Sequence, residues 1–306
     1  MKYGKDMLGL KELSREQITH ILDTAEKMKV LALSSNKRSS YIQGKTIVTL
    51  FYENSTRTRM SFELAAKYMG GNIASITASS SSTSKGEVLI DTGKTLDMMG
   101  TDVVIIRHPR SGAPALLGKN INASVINAGD GMNEHPTQAL LDIFTMREKM
   151  GWVEGLKVAI VGDILHSRVA RSNIYGLTTM GARVALAGPR TLIPPGIEKT
   201  GVEIHSFPQD AIRDADVVMG LRIQKERQGD AFFPTVDEYH QFFGINDSVM
   251  ATSKKQMLVM HPGPVNRGIE MSSSVIDGSN SMINMQVLNG VAVRMALLYL
   301  LTRREI

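Results

Sequence analysis

The chain has 306 residues, 42 % of them hydrophobic and 21 % charged, which predicts a water-soluble globular protein with more than one core. No run approaches the ~18 consecutive apolar residues of a membrane span, and the absence of cysteine excludes disulfides and thiolate metal sites. The net charge of +5 invites a nucleic-acid reading, but the basic clusters are only pairs such as Lys254-Lys255 and Arg303-Arg304, and aromatics are 5 %; with no basic stripe of stacking residues, small anionic substrates fit better.

Taken in chain order, the polar start Met1-Lys2-Tyr3-Gly4-Lys5 lacks the apolar core of a secretion signal, so a reducing, cytoplasmic setting is expected. Ser14-Arg15-Glu16-Gln17 has the form of a capping box opening a helix to about Leu33. The β-branched and apolar run over 45–52 predicts a buried strand, and further strands are expected at 72–77, 102–107 and 123–127. Helices are expected at 57–69, 86–99 and around 113–118, and then from Pro136 to Met150, with Pro136 in the tolerated first turn. Ala78 to Glu87, mostly serine, has no core-forming residue and predicts a mobile loop.

A second strand–helix series begins near Gly151–Gly155, with strands at about 156–161, 182–187, 202–206, 215–220 and 256–260. A last apolar helix covers about Gln286 to Leu301. Such alternation predicts an α/β protein of two doubly wound parallel-sheet domains with helices on both faces. Residues 1–135 with 286–306 form the first expected domain and 150–285 the second, joined by the 136–149 helix.

Ligands of open parallel sheets bind beyond the carboxyl ends of strands, and the residues there share a chemistry. The first expected strand is followed by Ser55-Thr56-Arg57-Thr58-Arg59. At a strand-to-helix turn the first helical N–H groups lack partners and the helix dipole adds positive charge. Capping explains one hydroxyl, not three interleaved with two arginines, so the stretch is read as a phosphate site. Other strand ends carry Arg107-His108, Glu134-His135-Pro136-Thr137-Gln138, Gly162-Asp163 with His166-Ser167-Arg168, Arg222-Ile223-Gln224, and His261-Pro262-Gly263-Pro264 up to Arg267. Recurring arginine at these ends predicts a polyanionic substrate pair. Gly162-Asp163 lacks the spacing of a dinucleotide fingerprint. Asp130 and Glu134, without a His/Cys cluster, are read as loop and cap hydrogen-bonding residues rather than metal ligands.

Ser55-Thr56-Arg57-Thr58-Arg59 together with His135-Pro136-Thr137-Gln138 resembles the signature of the aspartate/ornithine carbamoyltransferases, over essentially the whole chain. Three stretches resemble the aspartate branch and its catalytic chains: Ser84-Lys85-Gly86-Glu87, Arg222-Ile223-Gln224-Lys225-Glu226-Arg227, and His261-Pro262-Gly263-Pro264. The ornithine branch has a cysteine in the last of these turns. Glycine at 263 departs from the family's usual Leu or Ala.

The resemblance implies transfer of a carbamoyl group from carbamoyl phosphate to the amine of L-aspartate, giving N-carbamoyl-L-aspartate and phosphate, in pyrimidine biosynthesis. It places Ser55, Thr56, Arg57, Thr58 and Arg107 around the phosphate, with Arg57 at the leaving oxygen. His135 and Thr58 would donate to the carbonyl oxygen, while Gln138 and the backbone carbonyls of Gly263 and Pro264 hold the carbamoyl NH2. Arg168 and Arg222 would clamp the aspartate carboxylates, with Gln224 near the amine. Ser81 and Lys85 would reach in from the adjacent subunit of a homotrimer, Lys85 as a catalytic residue. No metal or organic cofactor is implied, and a separate regulatory chain is left open. A catalytically silent module using the same anion sites is the competing class, and Lys85, His135 and the two clamp arginines argue against it.

Overall fold

The computed structural model describes residues 4–77, 87–223, 235–253 and 256–303. It comprises two compact units, Met1–Leu141 with Leu288–Ile306, and Asp142–Val287. Ser81, Lys85 and Gln224 lie outside the described residues.

In the first unit the elements run α1 (Arg15–Leu33), β1 (Thr46–Phe51), α2 (Thr56–Tyr68), β2 (Asn72–Thr77), α3 (Leu89–Met98), β3 (Val103–His108), α4 (Ala113–Asn120) and β4 (Ser124–Asp130). Helix α5 (Pro136–Met150) leads into β5 (Lys157–Val161), α6 (Arg168–Thr179), β6 (Arg183–Ala187), β7 (Glu203–His205), α7 (Pro208–Ile212) and β8 (Val217–Gly220). Then follow α8 (Val236–Phe243), α9 (Asp247–Met250), β9 (Leu258–Met260), α10 (Ser273–Ile276) and α11 (Ile283–Arg303). The division between the units falls within α5 and within α11.

The capping box at the start of α1 is formed, with the Gln17 N–H donating to Ser14 and the Ser14 N–H donating to the Gln17 side chain at 2.9 Å. Strands β1, β3, β4 and β5 are mostly apolar and almost wholly buried, as expected of parallel strands under two helical layers, and β4 also buries Ser124, Asn127 and Asp130. In the first unit Val48, Leu50, Val104, Ile106 and Val125 pack on Leu96 of α3 and Leu117 of α4. In the second, Ala159, Val161, Ala187, Val218 and Val259 pack on Ala211 and Ile212 of α7 and on Val275 and Ile276 of α10. Helix α11 is long and apolar enough to cross a membrane by length and composition, yet 67 % of that window is buried inside the protein, as in a core helix.

Every pairing in both sheets is parallel. The strand orders are β2-β1-β3-β4 and β7-β6-β5-β8-β9. Each order contains one reversal. Chain leaving β1 turns toward β2 and chain leaving β3 turns the other way, toward β4. Likewise β5 leads to β6, and β8 leads the opposite way to β9. At such a reversal the connecting loops diverge and leave a crevice beyond the carboxyl ends.

Sequence reasoning misses the pairing at the β4 edge. Met7 bridges Ile126 in parallel, with the Met7 N–H donating to the Val125 carbonyl at 2.8 Å, so the segment before α1 covers the β4 edge. The short apolar run Met7-Leu8-Gly9-Leu10 is too brief to show a strand period.

At the end of β6, Gly188 lies against the end of β5: a Cβ there would overlap the backbone carbonyl oxygen of Gly162. Backbone cannot retreat as a side chain can. Gly188→Ala is expected to cost about 2 kcal/mol, read as a lower urea midpoint with an unchanged m-value.

Candidate active site

Both reversals carry residues singled out from sequence, and others follow the edge strands β4 and β9. At the first, Phe51 of β1 stands in register with Arg107 of β3, and the Tyr52 N–H donates to the Arg107 carbonyl at 2.9 Å. Four residues on, Ser55 is the N-cap of α2, in extended conformation and with no side-chain cap bond. Capping therefore does not account for its hydroxyl. The first turn of α2 contains no acidic residue, so its dipole and cations are not offset from within. Thr56 and Arg57 are exposed and Thr58 is buried.

The cations at this crevice are not equivalent. Arg59 stands 3.7 Å from Glu63 on its own helix, and Glu63 also accepts from the Ser75 hydroxyl at 2.7 Å. Sequence reasoning counted both arginines of the turn as anion partners; the helical i,i+4 spacing gives Arg59 an acidic neighbour. Arg107 is largely buried, and its Nε donates to Glu53 at 3.2 Å while a terminal nitrogen reaches the Ala128 carbonyl at 3.4 Å. A buried cation needs such a counter-charge when no ligand is bound, and a phosphate here would compete with Glu53. Glu53 was missed; its one signal is an acid two residues before an otherwise cationic turn. His108 adds no charge. Burial pushes its pKa down, its Nδ1 accepts from the Arg110 N–H at 3.0 Å, and its ring packs edge-on to Tyr52.

His135 is 5 % exposed at the start of α5, where its carbonyl accepts from the Gln138 and Ala139 N–H groups at 3.0 and 3.3 Å. The Thr137 hydroxyl lies 3.5 Å from its Nδ1. A hydroxyl donating there leaves the ring proton on Nε2, the tautomer that can donate to a developing oxyanion. The loop before it is held by Asp130, which accepts from the N–H groups of Gly112 and Glu134 at 2.7 and 3.1 Å and from the amides of Asn127 and Asn133. Glu134 accepts from the Leu10 N–H at 2.8 Å. Both acids thus serve as loop hydrogen-bond acceptors.

The second reversal pairs Val161 of β5 with Gly220 of β8. Beyond β5, Gly162 has a φ of 131°, a conformation open to glycine and strained for other residues. Asp163, fully buried, accepts from the His166 N–H at 3.0 Å and faces its Nδ1 at 3.0 Å. Ser167 caps α6 by accepting from the Ala170 N–H at 3.1 Å, and Arg168 is the first helical residue, 4 % exposed. Arg222, half-buried, stands two residues past β8. Two arginines therefore flank one crevice.

Past β9, the Gly263 N–H donates to His261 Nδ1 at 2.8 Å. Gly263 has a φ of 66° and precedes a cis bond to Pro264. Glu270, buried, accepts from the Asn266 N–H at 2.6 Å and lies 3.4 Å from His261 Nε2. Arg267, one of the strand-end cations, instead makes a two-pronged exposed pair with Asp277 at 2.7 and 2.8 Å, which holds the Asp277 carboxyl below the usual range.

Two family models match in tandem: the carbamoyl-phosphate-binding domain of aspartate/ornithine carbamoyltransferases over residues 5–148 and their Asp/Orn-binding domain over residues 154–301. The chain belongs to the aspartate/ornithine carbamoyltransferase family. It is 67 % identical to the aspartate carbamoyltransferase catalytic subunit of Ruminiclostridium cellulolyticum, over 99 % of this chain and 97 % of that one. Among solved carbamoyltransferases, it resembles the aspartate transcarbamoylase of Trypanosoma cruzi in complex with carbamoyl phosphate, at a TM-score of 0.87 and 31 % identity over 97 % of this chain and 96 % of that one. The ornithine carbamoyltransferase of Pyrococcus furiosus is as close in fold, with a TM-score of 0.86 and 30 % identity over 97 % and 96 %.

Asp130→Ala is expected to remove about 3 kcal/mol of stability, because the buried Asn127 amide and Glu134 N–H lose their acceptor. Chemical denaturation measures it; a loss below about 1 kcal/mol would mean that water replaces the carboxylate.

Proposed function

We propose that this chain is the catalytic chain of an aspartate carbamoyltransferase, which moves the carbamoyl group of carbamoyl phosphate to the amine of L-aspartate, giving N-carbamoyl-L-aspartate and phosphate. Backbone shape does not separate this reading from ornithine transfer, since the family fold serves both amines. The observation that carries it is the placement of Arg168 and Arg222 at the single reversal of the second sheet. Two guanidiniums suit a dicarboxylate by bidentate pairing and repel the side-chain ammonium of ornithine. The high identity to an aspartate enzyme supports the same choice.

In the first unit, Ser55, Thr56, Arg57, Thr58 and Arg107 hold the phosphate, with the N–H groups at the start of α2 adding to the field. The amine nitrogen gives its lone pair to the carbonyl carbon, and the carbonyl oxygen becomes an oxyanion. His135 and Thr58 donate to that oxygen. The carbon–oxygen bond to the phosphate then breaks, the surplus proton of the attacking nitrogen passes to the departing phosphate, and Arg57 neutralises charge on the departing oxygen, an interaction strongest in the transition state. Gln138 and the carbonyls of Gly263 and Pro264 fix the carbamoyl NH2. Catalysis is then positioning and electrostatics, and no step calls on a cofactor.

The working form is a cytoplasmic homotrimer in pyrimidine biosynthesis, with the first unit taking carbamoyl phosphate and the second aspartate. Ser81 and Lys85 serve a neighbouring subunit's site, and Gln224 supports the amine end. The reading requires no separate regulatory chain.

Steady-state assays with both amines test the choice of substrate. Carbamoylation of aspartate with no detectable transfer to ornithine is expected, and faster turnover with ornithine would overturn the reading. Sharing of sites has its own test. Lys85→Ala and His135→Ala are each expected to be nearly inactive, and activity should return when the two are dissociated, mixed and reassembled. No recovery in any mixture would show that each site is built from one chain.

A further inference from the structure

A buried polar chain runs through the second unit and ends at the turn after β9. Asp142 lies on α5 one helical turn beyond Gln138, Asn173 lies on α6 and Gln286 on α11. Asp142 and Asn173 are fully buried, Gln286 is 3 % exposed and His261 is 1 % exposed. The Asn173 amide donates to Asp142 Oδ2 at 2.8 Å, and the Gln286 amide donates to Asp142 Oδ1 at 2.8 Å. Gln286 Oε1 in turn accepts from the main-chain N–H of His261 at 3.0 Å.

The polarity of this chain is determined by its first member. With both Asp142 oxygens accepting from amides, Gln286 must offer its NH2 end to Asp142 and its oxygen to His261. In so dry a setting the reversed amide would leave a donor facing a donor. His261 is where β9 ends and the turn to Gly263 and Pro264 begins, and the His261 ring accepts from the Gly263 N–H at 2.8 Å. The backbone carrying the 263 and 264 carbonyls is thus tied through two bonds to a carboxylate on α5.

We propose that Asp142 and Gln286 are positioning residues that orient the turn whose carbonyls hold the carbamoyl NH2. This rests on the function proposed above. It makes the pair a selectivity device. Inorganic phosphate lacks the carbamoyl group and is indifferent to the turn, whereas carbamoyl phosphate depends on it.

The test is calorimetric titration of the full-length protein with inorganic phosphate and with carbamoyl phosphate, alongside thermal unfolding. Gln286→Glu sets two carboxylates face to face, and Asp142→Asn removes an acceptor. Each single variant should lose about ten-fold in affinity for carbamoyl phosphate relative to phosphate, the scale of one buried hydrogen bond. The double variant Asp142→Asn/Gln286→Glu has the same net charge and keeps the three bonds described above available. The new amide at 142 donates to the new carboxylate at 286, which still accepts from His261. It should recover the native ratio to within about three-fold.

A merely structural role would lower the unfolding temperature of the single variants and leave the ratio unchanged, which overturns the proposal. A double variant as impaired or as unfolded as the singles overturns it too, even if neither single variant folds. If the unsubstituted protein bound both ligands equally, the role of the turn itself would fall and this inference with it. If it discriminated and the single variants did so equally well, only this inference would fall.

Discussion

The reversal of strand order in each sheet is the constraint on which the rest of this structure depends. Two adjacent parallel strands whose outgoing connections turn in opposite directions leave a gap at their carboxyl ends. Backbone N–H groups of the next helix point into that gap unpaired. Between β1 and β3 the gap receives the Ser55 turn and Arg107; between β5 and β8 it receives Arg168 and Arg222. One topological event, made twice, thus yields two anion-attracting crevices, and a reaction joining two anionic substrates is chemistry such a chain can support.

Charge collected in this way has to be held without a ligand. The protein does so by pairing selected cations with acids. Glu53 holds Arg107, Glu63 holds Arg59, and Asp277 holds Arg267. The exposed Arg267 pair adds little stability because solvent screens it. The largely buried Arg107 contact matters more, since losing its partner there would leave a desolvated charge. Buried acids in the loops have another task. Asp130, Asp163 and Glu270 each accept from main-chain N–H groups of the segment around them. They hold irregular backbone in shape where no sheet ladder can. This is why the crevice walls, built of loops, can still present groups at defined positions.

Much of the fold was legible in the chain because parallel strands covered on both faces must be continuously apolar. The runs over 103–106 in β3 and 158–161 in β5 are of that kind, β1 and β4 are so only in part, and the capping box of α1 is local chemistry. The short elements α7, α9 and α10 were not legible, because four or five residues are too few to show a helical period. In the site, Ser55 to Arg59 stood out because hydroxyls and arginines alternate at a strand-to-helix turn. Glu53, Asp142, Gln286 and Glu270 did not, because a lone acid or amide in a helix or loop reads as surface until its burial is known.

By itself, then, the sequence determined the α/β alternation, the phosphate-type turn, the arginine-bearing strand ends and the family resemblance, all written in residues adjacent or at fixed spacing. Only the tertiary structure decided which cations are already paired, that the two crevices sit at reversals of strand order, and that Asp142 is tied to the His261 turn through Gln286. Those facts join residues as much as 144 positions apart. Strand order and buried hydrogen bonds between distant segments arise from packing, and no local pattern encodes them.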